Sequence, residues 1–376
     1  ATEHRCISMQ RAFNRLAYRQ MYGSHPSTGP NIITGDIFTG DFRHTVLTSG
    51  TELRQFTGGD GKMTTSFAEL FKSLSNPFCL GMGIERVGVS DVVRITVDHR
   101  SKYFQPKIVW DLGEVSDLEI EFDEKFIYNA LKIDYPSNDN KEAANGIYEF
   151  VSQYQYTTPC RYVENELDNT STFRADGASI EEARNNEIIE TTENQPDDNS
   201  NFMIRCRLSG SEYYISNGEE YPSLSYSGVQ NSTQLVNLDM FPPLTLRFWA
   251  WWILAALENE TEDIEIQRSE GGAVSFTINS ITYDTNDITI AKLRQIAQEQ
   301  PYTDAHGTLF EPFLYNFRAP VTAKFIQAFS ANRHGVIKFT YRGVTHYGFA
   351  MRIPAMPRTD ANWILLKLSK RGRSYV

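Results

Sequence analysis

Glu119, Glu121 and Asp123, within "LEIEFDE" (118–124), are the side chains whose spacing comes closest to a catalytic pattern. On a strand, alternation places all three carboxylates on one face. Two carboxylates at the right separation cleave glycosides, one donating a proton while the other attacks or activates water. The same alternation also marks an ordinary solvated strand face. Gly58-Gly59-Asp60-Gly61-Lys62 approaches a phosphate loop. However, Phe56 stands where the first Gly belongs, and Met63 where Ser or Thr would meet magnesium. A turn accounts for the same residues. Gly81-Met82-Gly83 begins a dinucleotide fingerprint, but Arg86 takes the place of its third Gly. Small residues in a packed strand explain it better.

The seven histidines, at 4, 25, 44, 99, 306, 334 and 346, are scattered, with neither an HExxH pair nor a zinc-like spacing to cysteine. No GxSxG elbow occurs. No catalytic, cofactor-binding or metal-ligating residue is therefore assigned, and the residues point to a non-enzymatic structural or binding protein.

Cys6, Cys79, Cys160 and Cys206 lie far apart and without a CxxC, so they read as buried thiols of a reducing compartment. A net charge of −11 over 376 residues argues against a general nucleic-acid binder. Basic residues gather at both ends: Arg5, Arg11, Arg15 and Arg19 in the first twenty residues, and Lys367, Lys370, Arg371 and Arg373 in the last ten. They are either solvated termini or a contact with an acidic neighbour in an assembly. The longest apolar run, "FWAWWILAAL" (248–257), has ten residues. A membrane span needs about 20, so this is a buried helix.

Several elements must carry these residues. Residues 1–22 keep helical spacing through Cys6, Met9, Phe13, Leu16 and Ala17, and they open without Met, as a segment of a longer chain would. Glycines and prolines over 23–50 predict a long loop or irregular strands. Ser66 and Glu69 form a capping box for a helix carrying Phe67, Leu70, Phe71 and Leu74, which Asn76-Pro77 should stop. Ser179 and Glu182 repeat the capping spacing, and Glu187–Ser200 reads as an exposed acidic excursion before the strand 201–208. Period-two stretches follow Cys79, at 107–112, 130–136, 148–157, 211–216, 263–267 and 273–278, and a helix is expected around Ile290–Ala297. The C-terminal hairpin, "VIKFTY" and "HYGFAMRI" about Arg342-Gly343, precedes "WILLKL". The chain reads as α+β, mostly β. Its segments are 1–78 (helices and the Gly-rich loop), 79–240 (a β-rich domain with the excursion 187–200) and 241–376 (the Trp-rich helix and a C-terminal β domain).

The ordered series "TTSFAELFKSL", "NPFCLGMGIER", "VVRITVDHRSKYF", "IVWDLGEVSDLEI", "FIYNALKIDYP", "NGIYEFVSQYQYTT" and "FRADGASIEEAR", closing in "HGVIKFTYRGVTHYGFAMRI", resembles tail proteins of double-stranded DNA bacteriophages of the hub or baseplate type. The resemblance implies β-barrel domains with short capping helices, arranged as a ring around the DNA-exit channel. The partners would be copies of itself, expected as a trimer, and other tail proteins. The location would be the virion tail, after assembly in the host cytoplasm. Its acidic charge would let DNA pass without sticking. An uncovered strand of the C-terminal hairpin and the basic tail Lys367–Arg373 are the expected ring contacts. The alternatives are a receptor- or glycan-binding tail-tip module that touches the host surface with its tyrosines and tryptophans, and a cell-wall hydrolase using the 119–123 carboxylates.

Overall fold

The computed structural model describes residues 5–23, 32–54, 63–86, 93–105, 107–136, 153–160, 163–175, 177, 180, 183, 198–209, 212–215, 237, 240, 242–257, 265–270, 275–278, 281–284, 287–289, 291, 310–353 and 356–368. The glycine run 58–62, the capping pair Ser179 and Glu182, residues 187–197, the helix expected at Ile290–Ala297 apart from residue 291, and the tail beyond Leu368 lie outside them.

The chain is mostly β, as its alternating patterns predict. Helix α1 (Met9–Tyr22) starts at Ser8, whose hydroxyl accepts from the amide of Arg11, and ends at Gly23 in the left-handed region with φ 73°. A short helix α2 (Gly50–Leu53) follows the strand Thr45–Ser49. Helix α3 (Phe67–Phe78) carries the full Ser66–Glu69 capping box. It does not stop at Asn76-Pro77, because Pro77 sits inside its last turn. Proline costs a helix the bond to the carbonyl four residues back. Here that carbonyl belongs to Ser73, and it accepts the Ser171 hydroxyl at 3.0 Å instead. Helix α4 (Pro242–Leu257) is apolar on every face from Phe248 onward and is buried throughout its described C-terminal half. Together with α1, α3 and the strands around Leu131, Tyr154 and Tyr156, it forms the larger of the cores.

A six-stranded sheet holds the second core. Its strands are β1 (Ile108–Glu114), β2 (Ser116–Phe122), β3 (Phe310–Val321), β4 (Val336–Tyr341), β5 (Val344–Arg352) and β6 (Arg358–Leu368). Across the sheet the order is β1-β4-β5-β6-β3-β2, so two consecutive strands occupy opposite edges. Only Val115 separates them. The edges must therefore meet at that corner, and the sheet curls into a half-barrel. Gly113 and Asp117, at φ 73° and 56°, make the bend, and the Val115 amide donates to Thr340 O at 2.9 Å. Tyr315, Phe317, Phe339, Trp363 and Leu365 fill the concave side, with Phe325 of helix α5 (Ala323–Ala331) packed against them. Residues 108–122 and 310–368, read above as parts of different segments, share this sheet.

The hairpin β4–β5 is not an uncovered edge, contrary to expectation. β4 lies between β1 and β5, and β5 between β4 and β6. The strand that covers β4 comes from more than two hundred residues earlier, a pairing that local pattern does not signal.

Candidate functional site

The carboxylate strand is β2, a true sheet edge that pairs only with β3 among the described strands. Its register sets Leu314 opposite Glu121 and Asn316 opposite Glu119. These residues belong to the convex face, because Tyr315 and Phe317 fill the concave one. Glu119 and Glu121 are exposed there, and Glu121 accepts from Asn316 Nδ2 at 3.0 Å. Asp123 is set apart from them. It caps the short 3-10 turn Glu124–Phe126 by accepting from the Lys125 amide, and it pairs with the Lys125 ammonium. Ile120 and Phe122 lie on the other face, and they are 53% and 48% exposed. Phe122 stacks edge-on against Phe313 at 5.4 Å.

The glycine pair 81/83 serves packing. A Cβ at either position would come within 2.6 to 2.8 Å of the Tyr103 ring, whose hydroxyl donates to Thr96 O at 3.0 Å. Four histidines fall among the described residues. His99 is wholly buried, and its Nε2 faces the carbonyl of Phe248 at 3.0 Å. A carbonyl only accepts, so Nε2 carries the proton and Nδ1 takes the Ser101 hydroxyl at 2.7 Å. Burial, opposed by the Phe248 hydrogen bond, drives its pKa down to about 3. His44 accepts from Arg43 Nε, His334 meets the Tyr103 ring edge-on, and His346 stacks on Phe339. Among the described residues no three His, Cys, Asp or Glu side chains gather as a metal would need. The four cysteines form no disulfide. Cys79 and Cys206 are buried as expected, which pushes both thiols up to about 12. Cys6 is exposed, a departure from the expectation of buried thiols. Trp249, Trp251, Trp252 and Trp363 are core, and Trp110 is half-buried against Phe325, so none of the five presents an open stacking platform.

Three cavities bring charged side chains together. One, about 780 Å³, runs between α1, the strand Thr45–Ser49 and residues 63–65. Arg11, Arg15 and Arg19 recur every fourth residue, so they form one exposed stripe along α1. Arg15 and Arg19 reach the cavity and Arg5 joins them, above a floor that includes Leu16 and Leu47. No ion pair holds any of these three among the described residues. The cation spacing was legible in the sequence, but the groove beside it was not. A second cavity of about 620 Å³ lies at one end of the half-barrel among Arg318, Arg352, Arg358 and Asp360, the last paired with Arg318. The third, about 480 Å³, holds Asp36, Asp98, Lys102 and His334. There Asp98 accepts the amides of Asp36 and Ile37 at 3.0 and 3.1 Å while Lys102 pairs with both carboxylates, which is a closed structural network.

The acidic stretch before residue 201 ends unlike the expected exposed excursion. Asp198 is buried and bidentate on buried Arg54, with Nε to Oδ1 at 2.9 Å and Nη2 to Oδ2 at 2.6 Å. No described helix is long and apolar enough to cross a membrane. No protein-family model matches this chain, and neither the curated proteins nor the solved structures contain a match to it.

Proposed function

We propose that this chain is a non-enzymatic structural protein of a bacteriophage tail, of the hub or baseplate type. It works by assembling with copies of itself and with other tail proteins around the path of the exiting DNA. The observation that supports this reading is the half-barrel, open along β2. It combines an unpaired strand edge with two half-exposed apolar side chains, Ile120 and Phe122, features that soluble monomers usually blunt. The carboxylates of β2 stand on a convex face rather than in a cleft, an arrangement suited to contact more than to bond cleavage. An acidic protein of net charge −11 around a DNA path repels phosphates and lets the duplex slide.

The test is stoichiometry in the particle. Quantitative mass spectrometry of purified virions should find this chain in a small multiple per tail, three for a trimeric ring. One copy per tail, or absence from virions, would overturn the reading.

A further inference from the structure

We infer that the arginine groove along α1 is the socket for strand β2 of a second copy of this chain; the inference rests on the assembly reading above. The two surfaces complement each other in charge and spacing. The groove presents three cations, Arg5, Arg15 and Arg19, against a single lining carboxylate, Glu52, in a chain that is otherwise acidic. The strand presents Glu119 and Glu121, both exposed. Residues two apart on a strand stand about 7 Å from each other along its axis. Residues four apart on a helix rise about 6 Å. Glu119 and Glu121 therefore match Arg15 and Arg19 one to one when strand and helix run alongside each other.

Each carboxylate can take an arginine in the two-pronged geometry that guanidinium favours. Socket and strand are different patches of one chain. The contact is therefore heterologous, and repeated copies close into a ring or run on as a filament.

Charge reversal tests the pairing with the full chain. Arg15→Glu with Arg19→Glu removes the socket, and Glu119→Arg with Glu121→Arg removes the strand partner. All four side chains are exposed, so far-ultraviolet circular dichroism and the unfolding midpoint should stay close to wild type. By sedimentation velocity, the wild type should self-associate, less so as salt rises. Each reversed variant alone should require at least about tenfold higher concentration to do so, because like charges then face each other.

An equimolar mixture of the two variants should associate again, since each supplies the charge that the other has lost. Association unchanged in either variant, or no recovery on mixing, would overturn the socket while leaving the tail reading to the virion count. A wild type that stays monomeric up to its solubility limit would overturn the socket as well.

Discussion

Replacing Asp198 with Ala leaves the Arg54 guanidinium in the interior without its carboxylate. The two side chains are 3% and 8% exposed, and they meet through two parallel hydrogen bonds of 2.9 and 2.6 Å. The backbone of Asp198 has separate work: its carbonyl accepts the Thr51 amide at 3.2 Å and the Thr51 hydroxyl at 2.9 Å. The substitution therefore removes the ion pair and leaves these backbone bonds in place. Breaking a buried pair from one side costs about 3–5 kcal/mol, because a charge remains desolvated and unpaired. Against a typical total stability of roughly 5–15 kcal/mol, that is a large fraction. Replacing both partners with apolar residues, Arg54→Met and Asp198→Leu, removes both desolvation costs and should bring stability back to within about 1–2 kcal/mol of wild type. The check is equilibrium unfolding in urea, followed by the fluorescence of the buried tryptophans, for wild type, both single variants and the double variant. The cycle should return a coupling of several kcal/mol. If Asp198→Ala costs less than about 1 kcal/mol, water reaches the pair and the reasoning fails.

Trp252→Ala should cost about 3–5 kcal/mol in the same assay, since the ring is buried, donates to Tyr128 Oη at 2.9 Å and lies under Arg100. His99 is neutral in the fold with a pKa near 3, against an ordinary value of 6.5. Its contribution to stability is complete above pH 6.5 and is lost as pH falls from there toward 3, because only the unfolded chain takes up the proton; the slope is about 1.4 kcal/mol per pH unit. A His99→Asn variant should lose that component of the slope between pH 6.5 and 5 in urea titrations. Ellman's reagent at pH 8 should label exposed Cys6 first in the native protein and reach Cys79 and Cys206 only after denaturant is added; rapid native labelling of Cys79 would show that the C-terminal end of α3 opens.

Local pattern revealed the elements that local chemistry determines. The capping box before α3 and the four-residue arginine spacing of α1 are visible in the sequence because their partners lie within one turn. Helix α4 is visible because apolar residues on every side leave burial as the only option. Strand β3 is not visible in the sequence, for an equally physical reason. It carries Pro312 and Pro320, which read as breakers, yet the register of β3 against β6 shifts between Phe310 and Leu314 and again between Ala319 and Val321. The prolines sit at these irregularities, where the ladder does not require their missing amides. Pro77 is tolerated in the same way, because a distant hydroxyl takes the carbonyl that its ring leaves unpaired.

What the sequence could not show is long-range pairing, and both candidate contact surfaces depend on it. In the sequence β1 and β2 show only as a period-two stretch at 107–112 and the alternating carboxylates of 118–124. Only their separate partners, β4 on one side and β3 on the other, turn them into a single bent strand that serves both edges of the sheet. That bend leaves Ile120 and Phe122 at an open edge with Glu119 and Glu121 on the opposite face. The alternating carboxylates of the sequence thus become a charged edge once their neighbours are known. The arginines of α1 undergo the matching change, from a solvated terminus to the rim of a groove floored by Leu16 and by Leu47, whose strand pairs with Asn201–Ser209. Two unremarkable charge patterns, some hundred residues apart, become complementary surfaces only through contacts that neither pattern encodes.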